Sequence, residues 1–139
     1  MKQSSGVAGT GRAGAGVKNE VALTINRNIQ NEVKSWQVEI NFTAEQKKLN
    51  SLSPDKRLAH IHELDERIAE RRRGRFEFIS NQKRELKDKL RGTVPGDEFK
   101  DLLYENGKIA DKAIEKYNNI FRKETAILDK LKGYKTSRK

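Results

Sequence analysis

Between Pro54 and Lys132 the apolar residues recur every three or four positions, and one short segment breaks the rhythm. Leu58, Ile61, Leu64, Ile68, Phe76, Ile79, Leu86 and Leu90 form the first run. Phe99, Leu102, Leu103, Ile109, Ala110, Ala113, Ile114, Tyr117, Ile120, Phe121, Ile127, Leu128 and Leu131 form the second. That spacing places each set on one face of a helix and suits no strand. Gly92-Thr-Val-Pro-Gly96 lies between them and predicts a tight connection. Two long helices, over residues 54–91 and 97–132, are therefore expected to form an antiparallel hairpin. Within them Gly74 marks a candidate kink or close approach, Asn106-Gly107 a candidate interruption, and Gly133 a candidate stop.

Upstream, Val21, Ile25, Ile29, Val33, Trp36 and Ile40 continue the helical spacing and predict a first helix over residues 18–41. Its polar surface is rich in amides. Thr43-Ala-Glu-Gln46 has the form of a capping box, with Phe42 placed as a hydrophobic staple, and starts a short helix over 43–52. Ser53-Pro54 then supplies an N-cap and a first-turn proline, and Asp97 is the expected N-cap of the last helix. Residues 1–17 are dominated by Gly, Ala and Ser, as in a flexible arm, and residues 133–139 form a basic tail. The expected fold class is all-α: a long antiparallel helical hairpin or bundle, an additional N-terminal helix and an extended Gly-rich N-terminal arm.

Only 34% of the 139 residues are hydrophobic and 36% are charged, so each helix can bury one stripe and little more. Part of the packing is expected to come from other copies or a ligand. With 30 basic and 20 acidic residues the formal net charge is +10, which favours a polyanionic partner. The absence of cysteine excludes disulfides and thiolate metal sites. No apolar run is long enough to span a membrane, and no secretion signal is apparent.

The strongest local signal is Arg71-Arg72-Arg73-Gly74-Arg75. Guanidinium groups suit phosphate because they donate paired hydrogen bonds. Arg67, Arg71 and Arg75 are spaced four apart along one helical face, and Lys83, Arg84, Lys87 and Arg91 extend the basic character. Arg27, Asn31 and Lys34 mark the polar side of the first helix as a surface that could lie along a duplex. Lys2, Arg12 and Lys18 add charge to the arm, whose glycines would let backbone N–H groups approach phosphates, although the Lys-Ser/Thr of a P-loop is missing. The bland alternative for the arginine cluster is a solvated face balanced by Glu63, Asp65, Glu66, Glu70 and Glu77.

No catalytic constellation emerges, no cofactor is implied, and no metal is expected. His60 and His62 lie two apart, on different sides of a helix, whereas ligands need a spacing of three or four. Trp36, Tyr104, Tyr117 and the phenylalanines are expected in the core, leaving Tyr134 as the exposed aromatic.

This plan, a small, cysteine-free, basic helical chain with a flexible N-terminal arm, resembles the major coat proteins of filamentous and rod-shaped archaeal DNA viruses. The resemblance is to architecture, covers the whole chain and carries over no individual residue. It implies a subunit that packs around double-stranded DNA, holds it in A-form and stacks into a helical virion. Partners would be the duplex and further copies of itself or of a similar subunit, and the location would be the nucleocapsid, otherwise the cytoplasm. Two other functions fit the residues: a helical scaffold or adaptor that binds another protein, and an RNA-bound component of a large assembly such as a ribosome.

Overall fold

The computed structural model describes residues 19–137, with side chains through Gly133. The expected arm, with Lys2, Arg12 and Lys18, and the end of the basic tail lie outside the described residues. The described chain is all-α, with helices α1 (Glu20–Lys34), α2 (Phe42–Asn50), α3 (Pro54–Leu90) and α4 (Gly96–Ser137) and no strand.

Their ends follow from local chemistry. Asn19 caps α1, its side-chain oxygen accepting the Ala22 N–H at 3.0 Å. Ser53 precedes Pro54 as expected, and its carbonyl accepts the Arg57 N–H at 2.8 Å. The segment between α3 and α4 turns at Gly92, the one described residue with positive φ, at 78°.

Several expected boundaries are corrected. The first helix ends at Lys34, not 41. Residues 36–41 are extended, so burial alternates along Trp36, Val38 and Ile40 while Gln37 and Glu39 face out. The cap of α2 is Asn41 rather than Thr43: Asn41 Oδ1 accepts the Ala44 N–H at 2.8 Å. Asp97 lies inside the first turn of α4, where a carboxylate complements the helix dipole. Helix α4 runs unbroken through Asn106-Gly107 and past Gly133, where no positive φ ends it. Gly74 marks no close approach, since an added Cβ would meet open space.

The described chain forms two compact units, to which α3 and α4 each contribute a segment. The first comprises residues through Ser35 with Glu77–Ile114. It buries Ala22, Ile25 and Ile29 of α1, Ile79, Leu86 and Leu90 of α3, and Leu102, Ala110 and Ala113 of α4. Asn106, 2% exposed, sits in this unit and donates from Nδ2 to Asn26 Oδ1 at 2.8 Å, so the buried amide is paired.

The second unit comprises Trp36–Phe76 and the residues from Glu115 onward. Its core joins Ile40, Leu49, Ile61, Leu64, Ile68, Leu128 and Leu131, with Phe42, Leu52, Phe121 and Ile127 packed at the margin. Trp36 and Tyr117 meet edge to face, ring centroids 5.9 Å apart. Each fully buried leucine or isoleucine contributes about 1.5–3 kcal/mol. Leu58, Phe76 and Tyr104, expected on buried stripes, are instead exposed, at 58%, 53% and 65%.

Candidate nucleic-acid interface

The arginine cluster falls within one segment of α3 in the second unit, and the helical repeat sorts its members by direction. Arg75 points inward and is 9% exposed. Its guanidinium lies 5.5 Å from the Trp36 ring centroid and 3.5 Å from Glu39 Oε2. Arg71 is half-buried and donates from Nη2 to Glu124 Oε2 at 3.0 Å. Glu124 is 1% exposed, and the same oxygen accepts the backbone N–H of Glu39 at 2.7 Å. The expectation of a phosphate-facing row through Arg67, Arg71 and Arg75 is thus corrected at two of its three positions. The Trp36–Ile40 segment brings Glu39 and Trp36 to Arg75, and α4 brings Glu124 to Arg71, so these cations tie α3 to both.

Arg67, Arg72 and Arg73 face solvent. Arg67 pairs with Glu63 at 2.8 Å and Arg73 with Glu70 at 2.5 Å, single-turn pairs that a competing phosphate could replace at little cost. Arg72 lies over the Phe121 ring, 4.8 Å from its centroid, and donates to Asn118 Oδ1 at 3.2 Å. Arg67 and Arg73 thus each have a carboxylate partner within one turn of α3, the pairing that the balanced-face alternative calls for. Tyr117, 3% exposed, has its phenol pKa raised by burial and partly lowered again by the nearby Arg72 charge.

The other expected residues lie in the first unit. Arg27, Asn31 and Lys34 are exposed on α1, and Lys83, Arg84, Lys87 and Arg91 are exposed at and just beyond the end of α3. Arg84 donates to Asn81 Oδ1 at 2.8 Å. Acidic neighbours in the same unit dilute these cations. The described part of the first unit holds ten basic and ten acidic residues, a net charge of zero.

The second unit differs. Residues 36–76 and 115–137 carry fifteen basic and ten acidic residues, an excess of +5. The remaining five cations, Lys2, Arg12, Lys18, Arg138 and Lys139, lie outside the described residues. Lys47 and Lys48 at the end of α2, Lys56 at the start of α3, and Lys123 and Lys130 on α4 are exposed and form no ion pair with a described residue. The sequence reading missed all five. Consecutive arginines stand out in the sequence, whereas Lys116, Lys123 and Lys130 repeat every seven residues and share one side of α4. Counting charge segment by segment would have found them.

His60 is 8% exposed, with Nε2 2.7 Å from Glu45 Oε1 and Nδ1 3.6 Å from Glu63 Oε1. This places the imidazole as a polar link between α2 and α3. Among the described residues no group of three or more His, Cys, Asp or Glu is arranged to hold a metal, and no helix is long and apolar enough to cross a membrane. Comparison of the chain with protein-family models, curated proteins and solved structures finds no match.

Proposed function

We propose that the protein is a non-catalytic structural subunit that binds the phosphate backbone of double-stranded nucleic acid without reading sequence, and that its second unit makes the contact. The observation that carries this is the partition of charge among the described residues: +5 in the second unit against zero in the first. Exposed lysines without a carboxylate partner attract condensed phosphate charge and release its counterions, which drives sequence-independent binding. Arg67, Arg72 and Arg73 extend that surface.

The described part of the first unit, balanced in charge, suits contact between copies. Tyr104 is exposed there, and a groove of about 420 Å³ is lined by Ile29, Val33, Ile109 and Ala113 with Gln30, Glu105, Lys108 and Lys112 at its rim. An apolar groove whose rim carries charges of both signs, Glu105 with Lys108 and Lys112, can be covered by a neighbouring subunit that pairs them. With the all-α fold and the Gly-rich composition of residues 1–17, this fits a coat subunit of the kind that the sequence plan resembles, packed on double-stranded DNA in a helical nucleocapsid.

Electron microscopy of the purified protein with long double-stranded DNA, at low and high salt, tests the proposal. Regular filaments that form only with DNA and loosen as salt rises are the expected result. Filaments or discrete oligomers indifferent to DNA would replace it with a protein scaffold, and assembly on structured RNA alone would make it an RNA-bound component.

A further inference from the structure

On the solvent side of α3, Ala69, Arg72, Arg73 and Phe76 follow one another at spacings of three, one and three, the pattern that lines one helical face. With Phe121 of α4 they line an open recess of about 440 Å³, within the ~300–1,000 Å³ range of small-ligand sites. The small Ala69 side chain leaves the space open. Phe76 is 53% exposed, a placement that hydrophobic burial alone disfavours. One face of the Arg72 guanidinium is covered by Phe121 at 4.8 Å, and the Asn118 oxygen fixes its Nε at 3.2 Å. Its plane is thereby held in place, while the residue remains exposed.

We propose that this recess takes one unpaired base of a single-stranded nucleic acid, stacked on Phe76 and on the open face of the Arg72 guanidinium, with the adjoining phosphate at Arg73. A base needs a π-face or a guanidinium plane to stack on, and its phosphate needs a cation one side chain away; the recess supplies both. A purely apolar ligand would gain nothing from the two guanidinium groups, whereas a phosphate can compete with Glu70 for Arg73. A purely anionic one would leave Phe76 in water. The site rests on the polyanion-binding reading for its class of ligand, but it uses aromatic residues with no part in the charge argument.

The test compares a fluorescent oligothymidylate with an abasic strand of the same length and phosphate count, by anisotropy at fixed salt. The full-length protein is expected to bind the thymidine strand about 5- to 150-fold more tightly per stacked base. Phe76→Ala and Phe76→Leu should both remove that preference while leaving duplex and abasic binding unchanged; Leu keeps the bulk of the side chain and guards against a folding artefact. Equal affinity for the two strands, or an undiminished preference in both variants, would overturn the site whether or not duplex DNA binds. Displacement of the strand by thymidine monophosphate at equal nucleotide concentration would also overturn it, by assigning the recess to a free nucleotide. Failure of duplex binding alongside an intact thymidine preference would instead sink the coat-like function and leave this site standing.

Discussion

Arg71 and Glu124 form a largely desolvated ion pair, Nη2 to Oε2 at 3.0 Å, and the same carboxylate oxygen holds the backbone N–H of Glu39 at 2.7 Å. One acidic residue on α4 thus anchors both a cation of α3 and the extended segment after α1. Removing Glu124 strands the Arg71 charge and a backbone donor together. Glu124→Ala should cost about 3 kcal/mol, the lower part of the range for breaking a buried pair because Arg71 is partly exposed. Glu124→Gln keeps an acceptor and should cost about 1–2 kcal/mol. Urea denaturation followed by circular dichroism measures both. Equal, negligible losses would show that the pair contributes nothing.

The Asn106–Asn26 bond in the first unit has a different signature. Asn26→Ala leaves the 2%-exposed Asn106 amide without its acceptor and should cost about 1–3 kcal/mol. Replacing both residues with leucine removes the stranded polar group along with the bond and should recover most of that loss. A double variant as unstable as the sum of the single ones would show that the amides matter for shape rather than for pairing.

Tyr117 sets a pH dependence at the alkaline end. Burial raises its pKa above the ordinary 10.0, an effect that the Arg72 charge opposes. The fold therefore favours the protonated phenol. Its contribution is complete below the unfolded value of about 10 and is lost as pH rises through the higher folded value. The stability difference between the wild type and Tyr117→Phe should be constant up to about pH 9 and then shift in favour of the phenylalanine variant. A difference that stays flat to pH 11 would contradict the assignment of the shift.

Arg75 was expected to bind phosphate and instead stacks on Trp36 inside the second unit. Arg75→Ala should therefore lower the melting temperature, through loss of a cation–π contact of about 1–2 kcal/mol, while leaving the salt dependence of DNA binding unchanged. A reduced salt slope with unaltered stability would return Arg75 to the interface.

The all-helical class was legible because a spacing of three and four over so many turns admits no other regular structure. The start of α3 was legible because Ser53-Pro54 acts locally. The end of α1 was not. Trp36 and Ile40 happen to continue the spacing of Ile25 and Ile29, but Trp36-Gln-Val-Glu-Ile40 also alternates, and tertiary burial chose the extended alternative. The same choice misdirected the arginine reading. Whether Arg71 and Arg75 face water depends on where Glu39 and Glu124 arrive, eighty-five residues apart in the chain, and no local pattern encodes that meeting. Phe76 reads as core by its type, and only the structure shows it at the rim of a recess.

The most direct test of the central claim is the slope of duplex-DNA affinity against salt for two four-residue alanine variants. One replaces Lys47, Lys48, Lys123 and Lys130 of the charged unit; the other replaces Lys83, Arg84, Lys87 and Arg91 of the neutral one. Each lost phosphate contact lowers the slope by about 0.9, so the first variant should lose about 3.6 and the second almost nothing. Equal losses in both, or a loss confined to the second, would contradict the placement of the interface on the charged unit.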